Sequence, residues 1–189
     1  AYKIYNENEN AEVGILRFSA VNDDIKITQV GLKIAENTLG QINFSSNLGE
    51  ISLWSDNKKI GTADFSENKN STVVSLTEDF IIPVNGSKDL LIKAMFLEIG
   101  PNKAGKDGAF VKIDYNGQNP DLTKGVALNT GADLISSSKI STDFLGAVSY
   151  KSNPVFMPYN MPDNKLENGQ DKILMRFKIK ANDAGDIGI

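Results

Sequence analysis

No histidine and no cysteine occurs among the 189 residues. Disulfides, thiol nucleophiles, Ser-His-Asp and Cys-His triads, and zinc sites built from thiolate or imidazole are therefore excluded. Any chemistry has to come from Asp, Glu, Lys, Tyr, Ser or Thr. Acidic residues cluster with Asn in Asn22-Asp23-Asp24, in the stretch holding Asp114, Asn116, Asn119 and Asp121, and in Asn182-Asp183-Ala184-Gly185-Asp186. Calcium needs several oxygen ligands converging from short loops, and these runs have the residue types for it. The spacing fits no EF-hand, because in Asp114-x-Asn116-Gly117 the glycine comes too early and no glutamate closes the loop. Asn and Asp also stabilise turns by bonding their own backbone. Calcium and plain turn formation both remain open for these residues, and no metal ligand is assigned.

The other chemical signals are thinner. Gly100-Pro101-Asn102-Lys103-Ala104-Gly105-Lys106-Asp107 has the glycine and lysine spacing of a phosphate-binding loop. It ends in Asp where Ser or Thr should bind the metal, and no helix follows. Trp54, the single tryptophan, follows Leu53 on a segment whose inward residues should be Ile51 and Leu53. It either faces out as a sugar-stacking or interface residue or packs under a loop or over the segment after residue 118. Carboxylate pairs for glycoside hydrolysis are defined by a separation in space, and nothing in the spacing points to one. No catalytic or cofactor-binding residue is assigned, and the chain reads as a non-enzyme.

The charge balance narrows the partners. Lys and Arg number 20 against 24 Asp and Glu, for a net charge of −4 and a pI near 4.9. Phosphate backbones require a concentrated basic surface, and the only arginines are Arg17 and Arg176. Nucleic acid is not an expected partner. No apolar run reaches the roughly 18 residues of a membrane span. Ala1-Tyr2-Lys3-Ile4-Tyr5 lacks the apolar core of a signal peptide, so the expectation is a mature or excised product.

Short alternating runs broken by Asn, Asp, Gly and Ser would have to position all of this, and they predict strands. Ile15–Val21 puts Leu16, Phe18 and Ala20 on one face and Arg17 and Ser19 on the other. Asp24–Ile34 alternates twice, with a slip at Thr28-Gln29 that predicts a β-bulge. Glu50–Trp54 and Lys59–Phe65 flank a polar hairpin loop, Ser55-Asp56-Asn57-Lys58. Thr72–Leu76 and Phe80–Pro83 read as another short pair. Asn85-Gly86 reads as a turn, and Lys88–Leu97 and Ala109–Tyr115 as single strands. The expected fold is all-β, an antiparallel Ig-like β-sandwich over residues 1–117. Its expected core includes Leu16, Phe18, Ile25, Leu32, Ile51, Leu53, Leu90, Ile92, Val111 and Ile113. Residues 118–153 read as an irregular connecting or covering segment, because Val126, Leu128, Leu134, Ile135, Ile140, Phe144, Leu145 and Val148 are too many apolar residues for a free linker.

The end of the chain resembles its beginning. Phe156–Asn160 matches Tyr2–Asn6, Leu174-Met175-Arg176-Phe177 matches Ile15-Leu16-Arg17-Phe18, and Asp186–Ile189 matches Asp24–Ile27. Both arginines fall at the same place in the motif. Residues 154–189 are accordingly expected to open a second sandwich repeat, either cut from a longer tandem array or completed by another chain.

The order ILRF, DIKITQVGLKI, EISLW with KKIGTADF, and DFIIPVNGSKDLLIKA resembles a repeated Ig-like module of very large bacterial cell-surface and surface-layer-like proteins. The resemblance covers residues 11–117 and part of 155–189. It implies an extracellular, cell-surface location, a structural or adhesive role in a tandem array or assembly, and like modules or subunits as partners through strand edges. It carries over no catalytic residue. The alternative is a carbohydrate- or ligand-binding module of a larger secreted protein, which an exposed aromatic platform at Trp54 would favour.

Overall fold

The computed structural model describes residues 3–6, 10–35, 48–65, 70–117, 119–135, 146–161, 168, 171, 173–181, 183 and 185–187. The chain divides into two compact units, Ala1–Tyr150 and Lys151–Ile189. Both are β-structure, mostly antiparallel. The described residues contain no α-helix, and one 3-10 turn, Pro120–Leu122, is the helical exception.

In the first unit the polar and apolar alternation becomes β2 (Asn10–Ser19), following β1 (Lys3–Asn6), and then β3 (Ile25–Ile34), β4 (Leu48–Ser55) and β5 (Lys58–Ala63). Asp56 and Asn57, both at positive φ (50° and 62°), form the two-residue connection between β4 and β5. That is the primed turn whose twist matches an antiparallel pair, and Asp and Asn tolerate its left-handed backbone. The slip at Thr28 is a bulge: against β10 (Lys124–Ala127), Gly125 pairs with Ile27 and Lys124 with Gln29, leaving Thr28 over.

Two strand assignments need correcting. Thr72–Leu76 and Phe80–Pro83 are not a hairpin pair but parts of one strand, β6 (Ser71–Ile82). Thr77, Glu78 and Asp79 have turn-like polarity but continue the strand on its solvent side, where Lys58 holds Glu78 at 2.8 Å and Lys26 holds Asp79 at 2.5 Å. Ladder register with β3 breaks across that stretch. After β7 (Ser87–Phe96), the run Ala109–Tyr115 splits at Lys112 into β8 (Ala109–Val111) and β9 (Ile113–Tyr115). These belong to different sheets, β8 pairing with β12 (Ala147–Tyr150) and β9 with β3.

The large sheet runs β11 (Asp133–Ile135), β10, β3, β6, β5, β4, β7, β2, with β9 attached to β3. A smaller sheet orders β1, β12, β8, and its β1–β12 pair is parallel. Strands within 119–150 thus join the sheets of the first unit. Residues 136–145, with Ile140, Phe144 and Leu145, lie outside the described residues.

The large sheet is not flat. Strands β2 and β6 stand four steps apart along it, which in a flat sheet would separate them by roughly 19 Å. Phe18 on β2 and Phe80 on β6 nevertheless meet edge to face with ring centroids 5.8 Å apart. The sheet curls until its end strand faces its middle, and Ala20 bridges Val84 just past β6. On the far side of the curl, a Cβ at Gly14 would lie 2.8 Å from the Ile113 carbonyl oxygen on β9. Only glycine permits that approach.

Inside the curl lie Leu16, Val30, Leu32, Ile51, Leu53, Val74, Phe80, Leu90, Ile92 and Ile113, all buried, with Phe18 and Ile25 packed against them and partly exposed. Truncating the fully buried Phe80 to Ala should cost about 3–5 kcal/mol, and Phe18→Ala about half of that because Phe18 keeps contact with water. Urea titration followed through Trp54 fluorescence measures both.

In the second unit, β13 (Pro154–Pro158) and β14 (Phe177–Ala181) form an antiparallel ribbon. The two stretches matched in the sequence therefore pair differently. Their counterparts in the first unit, β1 and β2, are not partners; β1 lies parallel to β12 and β2 lies against β7.

Candidate functional site

The acidic runs sit where the curled sheet is fastened. Asp23 follows β2 in the bend that leads into β3, and only 7% of it is exposed. Its carboxylate accepts from the Asn129 amide N–H at 3.1 Å, from Asn129 Nδ2 at 2.7 Å, from the Thr130 N–H at 3.2 Å and from Thr130 Oγ1 at 3.4 Å. One side chain thus ties the β2–β3 bend to the turn between β10 and β11. Burial pushes the Asp23 carboxyl up, but the backbone N–H groups of Asn129, Thr130 and Asp24 and the Asn129 side chain outweigh it and hold it below the usual carboxylate range. Asp24 works beside it. Its Oδ1 accepts from the Val84 N–H at 2.6 Å and its carbonyl from the Leu128 N–H at 2.8 Å. Asn22 adopts the left-handed backbone, φ 74°, that the bend requires.

The second run is distributed in the same way. Asp114 Oδ1 accepts from the following Tyr115 N–H at 2.8 Å, and Asn116 Nδ2 donates to Ser71 Oγ at 2.7 Å. Asn119 Oδ1 caps the 3-10 turn through the Asp121 N–H at 3.2 Å. That turn lies on β3, where Gly31 N–H donates to Thr123 Oγ1 at 2.9 Å. Of the third run, Asp183 is exposed with Lys180 Nζ 3.9 Å away, Asp186 is exposed, and Asn182 and Ala184 lie outside the described residues. Among the described residues no three acidic side chains converge on a point that could hold a metal ion.

The phosphate-loop look-alike joins β7 to β8. Within it Lys103 N–H closes a turn on the Gly100 carbonyl at 3.1 Å, and Gly105 N–H donates to Glu98 O at 3.0 Å. Lys103 Nζ pairs with Glu98 at 2.7 Å. Lys106, the lysine at the phosphate-binding position of that spacing, is exposed, and no helix begins at the loop.

Trp54 stands half-buried on the outer face of β4, with Nε1 donating to Ser52 Oγ at 2.9 Å. Lys93 Nζ sits 4.3 Å above the ring centroid, a cation–π contact that occupies one ring face. A sugar would have to displace that ammonium before it could stack there.

Sequence reasoning missed one pair. Across the β2–β7 ladder Arg17 pairs with Asp89, Nε to Oδ1 at 2.7 Å and Nη2 to Oδ2 at 2.8 Å. The guanidinium holds the Asp89 carboxyl below its usual range, chiefly through these hydrogen bonds. The rarity of arginine and its recurrence at Arg176 were the available signals; the partner required the register.

Comparison with protein-family models, with curated proteins and with solved structures finds no match to this chain. No helix among the described residues is long and apolar enough to cross a membrane.

Two expectations follow from the fastened carboxylates. A carboxyl depressed in the folded state stabilises above its unfolded value, 3.8 for Asp23, and loses that contribution as pH falls through its folded value. Asp23→Ala should therefore lower the melting temperature at pH 7, and the gap from the parent protein should close well below about pH 4. Calcium in the millimolar range should leave the parent's melting temperature unchanged, since the Asp23 and Asp24 oxygens already accept N–H donors; a rise with calcium reversed by chelator would contradict this.

Proposed function

We propose that the chain is a non-enzymatic structural or adhesive module of a bacterial cell-surface protein, with an Ig-like sandwich as its first unit. It joins like modules or like subunits through strand edges in an extracellular array. The observation that carries this reading is the ribbon β13–β14, which presents apolar side chains to solvent. Phe156 is 64% exposed and Phe177 53%, and Leu174 and Met175 beside them 75% and 71%. Isolated exposed apolar residues are ordinary, but a contiguous group on a small strand pair favours contact with another surface. Asp23 and Asp24 of the first unit support the same reading, because their carboxylates are taken up by the backbone N–H groups of loops.

A carbohydrate-binding role has no comparable support, since Lys93 already occupies a face of Trp54. An antibody against the chain, applied to intact source cells, should label the cell exterior. Label that appears only after permeabilisation would overturn the proposal.

A further inference from the structure

The same sequence motif has two different environments in this molecule. In the first unit Leu16 and Ala20, on the inner face of β2, are 6% and 3% exposed, because β2 lies against β7 and inside the curled sheet. Their counterparts in the second unit are Met175, 71% exposed just before β14, and Ile179, half-buried within it, while Phe177, the match of the partly exposed Phe18, is 53% exposed. The ribbon ladder pairs Pro158 with Phe177 and Phe156 with Ile179, so these four share one face, and the rings of Phe156 and Phe177 are 6.3 Å apart. The Tyr159 N–H donates to the Arg176 carbonyl at 3.0 Å and carries the ladder one pair further. Among the described residues β14 pairs with β13 alone, so one of its edges carries no described strand.

The opposite face says what kind of strand is missing. Period-2 alternation places Arg176, Lys178 and Lys180 together on it. The matching face of β2 carries Arg17, which holds Asp89 of β7 in a bidentate pair. A strand that covers β14 as β7 covers β2 therefore alternates apolar residues with polar ones, and sets an acidic residue opposite Arg176. Three cations in a row ask for more acid than β7 itself supplies. An intact second copy does not qualify, because its own β7 has β4 on one edge and β2 on the other.

We propose that the open edge and apolar face of β13–β14 dock a β7-type strand of a like module, one not already closed by a β2-type strand, with an acidic side chain on Arg176 fixing the register. The assignment rests on the structural-module reading above and names the partner of that module. Main-chain hydrogen bonds would give such strand addition its affinity, and the apolar alternation with the charge pair its specificity.

A fluorescent peptide with the sequence Ser87–Phe96, titrated into the full chain and followed by anisotropy, tests this. Saturable binding is expected. Changing its Ser87, which falls opposite Lys178, to Asp should tighten it. Arg176→Asp should weaken the parent peptide about five-fold, as expected for an exposed ion pair, and a peptide carrying Asp89→Arg should regain affinity for that variant. Phe177→Ser should abolish binding. Both residues are exposed, so an unchanged melting temperature will show that the variants fold. Binding that ignores Arg176→Asp but responds to Arg17→Asp would mean that the peptide displaces β7 in the first unit, and would overturn the proposal. So would no binding, whether the chain stays monomeric or self-associates in sedimentation. Either failure leaves the cell-surface labelling result standing, so the partner and the module role are tested separately.

Discussion

A sheet with one apolar face must find cover for it, and in the first unit the cover is the sheet's own far end. Everything else there follows from the contact between Phe18 on β2 and Phe80 on β6, strands that the ladder order places four steps apart. Bringing them together turns the sheet into a curl whose inner residues exclude water from both sides. It also brings β2 so close to β9 that position 14 accepts no side chain. The bulge at Thr28 and the broken register of β6 are the local irregularities such curvature demands, since a regular ladder bends little.

Curling leaves loop backbone N–H groups at the rim that no strand can satisfy, and a buried N–H without a partner is costly. The Asp and Asn residues meet that need. Asp23 serves Asn129 and Thr130, Asp24 serves Val84, and Asn119 serves Asp121. A carboxylate engaged in this way has little capacity left for a metal ion or a substrate. Asp23, Asp24 and Asn119, which looked chemical in the sequence, are thus spent on holding the curl closed, and the same bonds account for the depressed Asp23 carboxyl.

The second unit shows what the same motif does without that cover. Leu-Arg-Phe in β2 and Met-Arg-Phe leading into β14 differ by one apolar side chain, yet Leu16 is buried and Phe18 partly so, whereas Met175 and Phe177 stand in solvent. The difference lies in the surrounding strands. β2 has β7 and the curl against it, whereas the described part of β14 has only β13.

The sequence by itself determined what is local. Alternation marked β2, β3, β4, β5 and β7; the Asp56-Asn57 pair marked its turn; the slip at Thr28 marked the bulge. Each depends on residues a few positions apart, so each is written in the spacing. It also bounded the chemistry, because a chain without histidine or cysteine has few ways to catalyse. Tertiary structure alone decided that Thr77–Asp79 run on as strand, that Lys112 is where the chain changes sheets, and that residues 124–127 and 147–150 are strands. It alone decided that Asp89 belongs to Arg17, that Lys93 covers Trp54, and that Asp23 is a fastener. Each of those joins residues distant in sequence, and period-2 alternation says which face a side chain takes without saying what comes to lie against it.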